Sequence, residues 1–400
     1  MALPPLMPLD EARAHLLAGL PCVAQHESRA LSDCLNLILA KDLVSPVDVP
    51  PKANTSMDGY ALSAADALAG NALRVSQRIP AGHAGDPLEP NTAARIFTGA
   101  ELPSGADCVV MQENAVREGD VVHIQQSAVA GENVRPAGLD IKRGRVVLKA
   151  GTRLTPASLG VAASTGASEL SVFAPLTVAI LSTGDELVEP GKPLGDGQIY
   201  NSNRWLVSGL LRQAGFNVVE FGQVEDTFDS TVKALTRAAQ QADMILTTGG
   251  VSVGEEDHVK SAIESLGSIN LWRIRIRPGK PFAAGFVEGT PIFGLPGNPM
   301  SAMVTFALLA RPCLMHLQGQ TFEPELRVPV KVGFSRGAEQ RDEFVRVQLD
   351  QGVARKVASQ NSGVLSSALS ADGLLHLPAF EPINEGDVYP FIPFASLLNA

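Results

Sequence analysis

The chain has 400 residues, of which 45% are hydrophobic, and a formal net charge of −10. This length and composition are enough to bury several cores, which predicts roughly two to four domains. The acidic charge argues against nucleic acid as a partner, and no run of about 18 apolar residues predicts a membrane helix. The four cysteines include no Cys-x-x-Cys pair, which excludes a zinc ribbon and predicts reduced thiols in a cytoplasmic protein.

The sequence pattern changes twice in the first part of the chain. Residues 8–43 carry apolar positions at helical spacing, with a proline between two such runs, and we expect two helices there. From residue 44 to 141, short β-type runs alternate with Gly, Pro and Asn, which predicts an inserted, mainly β domain. Residues 142–174 contain an extended run and a helix capped by Thr155 ahead of Pro156, and we expect them to return the chain to the N-terminal helices.

The second part of the chain begins with strands that alternate with helices. This order over residues 175–325 predicts a doubly wound parallel sheet covered on both faces. Residues 326–400 alternate as in Glu343–Leu349 and predict a small terminal β barrel. The predicted fold is therefore multidomain α/β plus β, and its domains are 1–43 with 142–174, 44–141, 175–325 and 326–400.

Three glycine-bearing segments, 182–186, 247–257 and 295–299, each follow a β-type run. Glycine lets backbone amides approach a phosphate closely, and ligands of parallel sheets bind beyond the carboxyl ends of the strands. Ordinary strand-to-helix turns have a similar composition, but three in one domain predict a pocket for a phosphorylated ligand. In the third segment we expect Asn298 to cap a helix that begins at Pro299. The predicted phosphate-binding residues of these segments are Gly184, Gly249, Gly250, Ser252, Gly254, Pro296, Gly297, Asn298, Pro299 and Ser301.

Carboxylates accompany two of these segments. Asp185 and Glu186 lie in the first segment, and residues 255–257, at the end of the second segment, are all acidic. A further acid, Asp226, follows the second predicted strand of the α/β region. Acids beside a phosphate cradle repel an anion unless they bind a divalent cation, so we expect Mg²⁺, with Asp257 the preferred ligand. Alternatively, the acids stabilise the N-terminus of the next helix, by about 0.3–1 kcal/mol each.

A basic run precedes the third segment. Arg273, Arg275 and Arg277 alternate with apolar residues, so we expect them to project from one face of a strand, followed by Lys280. A solvated strand edge would show the same pattern. In an acidic chain with phosphate-type loops, we interpret the run as a grip for phosphate or another oxyanion. No Ser-His-Asp or Cys-His arrangement predicts a protein nucleophile.

The order of short motifs along the chain is similar to that of the MoeA family, which includes the E-domain of gephyrin-like proteins. The resemblance spans residues 8–400. Two of its motifs lie in the inserted domain, where by themselves they look like turns. The motifs are Asn54–Ala61, Thr98–Gly99 with Gly105–Asp107, Ser182–Leu187, Gly249–Gly254 with Asp257, Pro278–Pro281 and Leu295–Pro299.

The resemblance implies a MogA-like α/β domain, an N-terminal dimerisation domain and an elongated homodimer. Its active site would lie between the α/β domain of one subunit and the β domain of the other. The implied reaction inserts molybdenum from molybdate into adenylylated molybdopterin with Mg²⁺ and releases AMP. An adenylyltransferase and molybdoenzyme maturation proteins are the implied partners. The implied catalytic residues are Asp58, Thr98, Glu186, Asp226 and Asp257, of which the last three would organise Mg²⁺.

Two details qualify the resemblance. Arg273 and Arg277 stand where other members often carry Lys, which keeps the positive charge but changes the donor geometry. Ser362 and Ser366 of the terminal domain are further candidate site residues.

Two other functions stay open: a molybdopterin adenylyltransferase would need only the α/β domain, and a gephyrin-like scaffold would bind a peptide through the terminal domain. Molybdate and tungstate are too alike to be distinguished from sequence.

Overall fold

A computed structural model of the chain describes residues 6–225, 227–249 and 258–398. Over these ranges the strands form three six-stranded sheets and several smaller ones. One large sheet lies in the inserted region, one in the α/β region and one near the C-terminus. The predicted boundaries between the domains stay a prediction.

The N-terminal helix, Leu9–Ala18, packs on the α/β region rather than on the N-terminal strands. Leu9 and Leu16 are buried in the same apolar cluster as Leu314, which belongs to the last helix of the α/β region. Immediately before the helix, the backbone of Met7 bonds to that of Arg273 at 2.8 Å. The start of the chain is therefore joined to the α/β region through both packing and hydrogen bonds.

The prediction of a second N-terminal helix is wrong. The segment forms the strand His26–Ala30, the short 3₁₀ turn Leu31–Asp33 and the strand Ile38–Leu39. Both strands pair antiparallel with Glu169–Phe173, from the segment that returns to this region. Asn36 has a left-handed φ of 67°, which no helix can contain. Pairing with a distant strand has overridden the helical spacing of the apolar residues.

The returning segment contains the predicted helix. Helix Pro156–Ser164 begins after Thr155, whose hydroxyl accepts a hydrogen bond from Ser158 N at 3.2 Å in a capping box. Before it, strand Val146–Leu148 pairs with Leu43–Val44. The start signal predicted from the sequence is confirmed.

The inserted region is built from β-strands around two apolar cores. Its six-stranded sheet contains one parallel pairing, and a separate two-stranded sheet lies beside it. In spatial order the six strands are Cys108–Met111, Gly59–Leu62, Thr92–Ile96, Ala72–Ile79, Val121–Ile124 and Ala115–Glu118, and the pair is Asn54–Thr55 with Val134–Arg135.

The central sheet is doubly wound. The first strand along the chain, Thr177–Thr183, is followed by Asn217–Val224, which pairs on one side of it. The third strand, Met244–Thr248, pairs on its other side, so the winding reverses between Thr177–Thr183 and Met244–Thr248. The first four strands in spatial order pair in parallel, and the last two pairings are antiparallel. The spatial order is Asn217–Val224, Thr177–Thr183, Met244–Thr248, Thr290–Leu295, Pro281–Val287 and Gly267–Arg273.

Helices cover both faces of this sheet, as the continuous apolar strands predict. Val178 and Ile180 face a core that they share with one pair of helices, whereas Ala179 and Leu181 face the core on the other side. The helices are Ser202–Gln213 and Pro299–Leu317 on the first face, and Phe228–Gln241 and His258–Leu266 on the second.

The helix Pro299–Leu317 contains a π-helical turn at Phe306–Ala310. By length and composition it could cross a membrane, but 89% of its apolar window is buried inside the protein. We therefore assign it as the core helix of the α/β region.

The terminal strands close into the predicted small barrel. Strand Asp342–Asp350 pairs on one side with Val353–Lys356 and on the other with Gly373–Leu377, which closes the ring. A short strand from the α/β region, Ile276–Arg277, also pairs with Asp342–Asp350 and joins the two units. The remaining strands are Val328–Val332 and Val388–Pro393, and the short helices are Leu365–Ala368 and Phe394–Leu397.

Candidate active site

The ends of four parallel strands lie side by side at the carboxyl edge of the central sheet. Thr183 is paired with Val224, Ser182 with Thr248, and Thr248 with Leu295. All three glycine segments start from these ends, so the structure brings their first residues together. They flank the point where the winding reverses, which is where ligands bind in open α/β sheets.

Gly249 allows two of these segments to approach closely. Its φ is 92°, and a Cβ there would lie 3.1 Å from the carbonyl oxygen of Thr183. Its N–H donates to Leu295 O at 3.2 Å, and below it the buried hydroxyls of Ser182 and Thr248 are 3.0 Å apart. These contacts tie the three strand ends together, and the φ of Gly249 and its closeness to Thr183 favour glycine at this position.

The first segment presents an exposed carboxylate. Gly184 has a φ of 134°, which favours glycine, and the carboxylate of Glu186 folds back over it, so that a side chain at position 184 would displace that carboxylate. Gln223 donates to Gly184 O at 3.1 Å, and Glu186 O accepts from Ile199 N at 2.8 Å. The backbone on both sides of the carboxylate is therefore held in place.

Several predicted residues lie outside the described ranges, so their positions are not assigned. They are Asp226, Gly250, Ser252, Gly254 and Asp257. Of the three predicted Mg²⁺ ligands only Glu186 is described, and residues 6–225, 227–249 and 258–398 contain no cluster of three or more His, Cys, Asp or Glu suited to a metal. The fit to Mg²⁺ rests on chemistry and position: carboxylate oxygens are its preferred protein ligands, and the strands that precede the three acidic segments end side by side.

The third segment differs from its prediction in one respect. Asn298 and Pro299 occupy the expected cap and first helical positions, but the Asn298 side chain makes no capping hydrogen bond. Instead, the first available helix amide, Met300 N, donates to Ser362 O of the terminal barrel at 2.9 Å. Asn203, in the adjacent helix Ser202–Gln213, donates to Gly297 O at 2.6 Å. The loop is thus held by its neighbours, and Pro299 itself has no N–H to offer.

The basic run does not form one strand, so that prediction is wrong. The strand ends at Arg273, and the chain crosses to the terminal barrel, where Ile276–Arg277 pairs. Arg275 pairs with Asp342 at 3.4 Å, and Arg277 with Glu343 at 3.3 Å. These ion pairs link the two units, and the role of Arg273 and Arg277 in holding an oxyanion stays a prediction. Arg277 therefore joins the barrel to the α/β region.

Lys280 remains beside the site. It is half-buried, and its carbonyl accepts from Ile274 N at 2.8 Å. The adjacent Gly279 packs on the core helix, where a Cβ would lie 3.6 Å from Ser301 O. Ser301, 5% exposed, lies in the first turn of that helix. The structure thus brings the Lys280 turn against the start of the third segment's helix.

A buried cation that the sequence prediction missed lies behind this helix start. Arg346 is 1% exposed, and its Nη2 donates to Ser359 O at 3.0 Å and to Asn361 O at 3.2 Å. Its Nε and Nη1 have no hydrogen-bond partner among the described residues. Burial lowers the pKa of Arg346, although arginine stays charged in proteins. Leaving buried donors without an acceptor is costly.

A pattern in the sequence could have identified Arg346. Residues two apart in a strand share a face, and Phe344 of the same strand is buried in the core that contains Met300. An arginine in phase with that phenylalanine must lie inside the protein. The loop that it supports, 359–362, ends at the carbonyl that meets Met300 N.

Asp58 and Thr98 form a second constellation on the inserted sheet. Asp58 Oδ1 accepts from Thr98 N at 2.8 Å and from Thr98 Oγ1 at 2.7 Å. These two bonds lower the pKa of Asp58 below its ordinary value, with the charge of Arg95 as a further cause. In the described part of the chain, this sheet and the central sheet share no strand. The two constellations are therefore separate structures in one subunit.

Comparison with known proteins identifies the family. Family models match residues 7–166 (MoeA N-terminal region, domains I and II), 179–316 (probable molybdopterin binding domain) and 330–394 (MoeA C-terminal region, domain IV). A molybdopterin molybdenumtransferase from Haemophilus influenzae is 38% identical over 98% of this chain and 100% of that protein. Another from Staphylococcus aureus is 32% identical over 87% of this chain and 86% of that protein.

A solved structure agrees with this assignment. The crystal structure of a molybdopterin biosynthesis MoeA protein from Pyrococcus horikoshii has a TM-score of 0.84 and 27% identity, and covers 97% of this chain and 100% of that one. The α/β region is the MogA-like domain expected from the motifs, and the terminal barrel has its counterpart in the family's domain IV. The chain belongs to the MoeA family of molybdenum cofactor biosynthesis, whose curated members include molybdopterin molybdenumtransferases.

Proposed function

We propose that this chain inserts molybdenum from molybdate into adenylylated molybdopterin and releases AMP. The observation that carries the proposal is the meeting of the three glycine segments at adjacent parallel strand ends, beside the reversal of winding. Similarity to molybdenumtransferases over nearly the whole chain supports it. The substrate carries phosphate groups and molybdate is an oxyanion, so the site must hold several negative charges at once.

The anionic groups have two kinds of donor in this proposal. Backbone amides of the glycine segments would face the phosphates, since glycine permits close approach. The amides of Gly249 and Met300 are not among them, because they donate to Leu295 O and Ser362 O. Lys280 and Arg346 supply positive charge near the helix that starts at Pro299. Two nitrogens of Arg346 have no partner among the described residues, which supports a role in holding the oxyanion, because a buried guanidinium without an acceptor is costly. Arg273 stays a prediction at the end of its strand.

Glu186, Asp226 and Asp257 would hold Mg²⁺, which when bound neutralises charge on the phosphoanhydride. The carboxylates also limit where an anion can sit, because they repel any phosphate that lacks a cation beside it. Water, rather than a protein side chain, attacks the phosphoanhydride and releases AMP. The protein positions the reacting groups and stabilises their charge.

Asp58 and Thr98 complete the site in a homodimer. We propose that the inserted sheet of one subunit closes over the α/β edge of the other, because Asp58 is a preorganised carboxylate on a sheet separate from the central one. Such a site would act on its substrates only in the dimer. The cytoplasm is the proposed location, and the four cysteines, all free thiols, accord with it.

The proposal is tested by measuring AMP release from adenylylated molybdopterin and molybdate. We expect Glu186→Ala and Asp257→Ala to lower the rate by at least about 100-fold, which corresponds to the loss of about 2.7 kcal/mol of transition-state stabilisation. Asp185→Ala is the matched control, because Asp185 is an exposed neighbouring acid outside the predicted ligand set, and it should keep nearly full activity. Wild-type rates in both site variants would refute the assignment.

A further inference from the structure

We propose that Arg95 is a positioning residue that orients the Asp58 carboxylate for the reaction. The inference rests on the proposed function, in which Asp58 is catalytic. Arg95 lies in strand Thr92–Ile96, whose far end leads into the Thr98 turn. It belongs to none of the motifs discussed above, and its contacts alone assign its role.

The Asp58 carboxylate is held on one side only. Both of its described hydrogen bonds, from the amide and the hydroxyl of Thr98, end at Oδ1. Within the described chain, Oδ2 accepts no hydrogen bond and is left for a ligand or proton. A carboxylate held through one oxygen can still swing unless the backbone that carries it is fixed.

Arg95 fixes that backbone from the opposite side. Its Nη1 donates to Gly59 O at 3.1 Å, and its Nη2 donates to the side-chain oxygen of Gln112 at 2.6 Å. Gln112 in turn donates its backbone N–H to Asp58 O at 3.0 Å. One guanidinium thus connects both peptide groups that follow Asp58, directly and through Gln112.

The same guanidinium also packs against the Thr98 turn. It stacks on Phe97 with its carbon 4.6 Å from the ring centroid, and lies 5.2 Å from the ring of Tyr60. Phe97 precedes Thr98, and Tyr60 follows Gly59. Only a planar, charged group with donors at its edge can stack on rings and donate to two acceptors together, so lysine cannot reproduce the contact.

Arg78 provides a matched comparison. It is the cross-strand partner of Arg95 and lies 4.5 Å from the same Phe97 ring. In the described part of the chain, however, it makes no hydrogen bond to the Asp58 turn. The other charged side chain nearby, Glu113, accepts from Gln112 Nε2 at 3.2 Å. Removal of Arg78 therefore removes a nearby charge and a ring contact but leaves the bonded network intact.

The test compares Arg95→Ala, Arg95→Lys and Arg78→Ala in the AMP-release assay. We expect Arg95→Ala to lower kcat by about tenfold or more with little change in KM, since misplacing a catalytic group can cost up to about 100-fold. Arg95→Lys should recover only part of the rate, and Arg78→Ala should stay within about twofold of wild type. By NMR titration, the pKa of Asp58 should rise in Arg95→Ala, because a nearby positive charge is lost.

A double-mutant cycle separates positioning from general stabilisation. If Arg95 acts through Asp58, adding Arg95→Ala to Asp58→Asn should lower the remaining rate no further. Additive losses, or equal losses in Arg78→Ala and Arg95→Ala, would overturn the inference. If Asp58→Asn alone is fully active, the proposed role of Asp58 fails instead. Should Arg95→Ala not fold, Arg95→Lys carries the same cycle, and wild-type kcat in that variant would also contradict the inference.

Discussion

The carboxyl edge of the central sheet and the Asp58 turn of the inserted sheet are organised by different parts of the chain. At the edge, glycine conformations determine the approach of the segments, as at Gly249, where an added Cβ would lie 3.1 Å from the Thr183 carbonyl oxygen. At the turn, Thr98 donates to the Asp58 carboxylate through its amide and hydroxyl, and the Arg95 side chain donates to the backbone carbonyl of Gly59. Adding a Cβ should therefore damage the edge, whereas removing a donor should damage the turn.

The largest expected effect is at Arg346, the buried cationic side chain that we propose for the carboxyl edge of the central sheet. On the proposed contact between Arg346 and molybdate, Arg346→Met should raise KM for molybdate by about 100-fold, since losing one partner of a buried charge pair costs about 2–5 kcal/mol. Arg355→Met is the control, because that arginine pairs with Asp350 on the surface. An unchanged KM in Arg346→Met would show that the edge holds its anion through the backbone alone.

A second prediction concerns backbone conformation at the edge. Gly249→Ala and Gly191→Ala both place a side chain at a left-handed φ, 92° and 96° respectively, and each should lower the free energy of unfolding by about 1–2 kcal/mol. Only Gly249 faces another atom, Thr183 O, so only Gly249→Ala should also lower the rate of AMP release, by about tenfold. Equal activity in the two variants, measured with denaturant unfolding as the stability check, would contradict the assigned contact.

A third prediction concerns the charge at the turn. Thr98→Val removes the hydroxyl donor, so the pKa of Asp58 should rise, and ¹³C NMR titration measures the change. The folded-state pKa is lowered, so this carboxylate contributes stability above its unfolded pKa and loses it as pH falls through the folded pKa. Thr98→Val should therefore make the protein lose stability at a higher pH than wild type. Thr98→Ser keeps the hydroxyl and should behave like wild type.

The smallest effect is expected at the cap of the core helix. Asn298→Ala should change the free energy of unfolding by less than about 0.5 kcal/mol, because its side chain makes no capping bond. Thr155→Ala breaks a complete capping box and should cost about 1 kcal/mol. Chemical denaturation of the two variants checks the difference. A larger loss in Asn298→Ala would mean that Asn298 caps the helix in solution.

Local signals predicted the fold and the edge well. The Thr155–Pro156 helix start, the alternation of strands and helices and the strand ends that precede the glycine segments depend on neighbouring residues, and all three are confirmed for the described residues. Contacts between distant segments were not predictable in this way. The strand His26–Ala30 forms because it pairs with Glu169–Phe173, against its helical spacing.

The site shows the same division. Arg277 turns toward Glu343 because the barrel lies beside it, which no local pattern reports. Met300 N donates to Ser362 O of the barrel, although the local sequence predicts that Asn298 caps this helix. Arg95 reaches Gly59 across neighbouring strands, and its strand by itself is an ordinary β-run. Residues whose roles depend on distant packing need coordinates, whereas glycine and proline reveal their roles through backbone chemistry.

Mixing two inactive variants tests the central claim most directly, because it asks whether the edge and the turn act together across a dimer. Asp58→Asn and Glu186→Ala homodimers are mixed, allowed to exchange subunits and assayed for AMP release. If each site takes Asp58 from one subunit and Glu186 from the other, half of the sites in every mixed dimer are intact, and activity should return to about a quarter of wild type. No recovery, despite mixed dimers detected by mass spectrometry, would contradict the composite site.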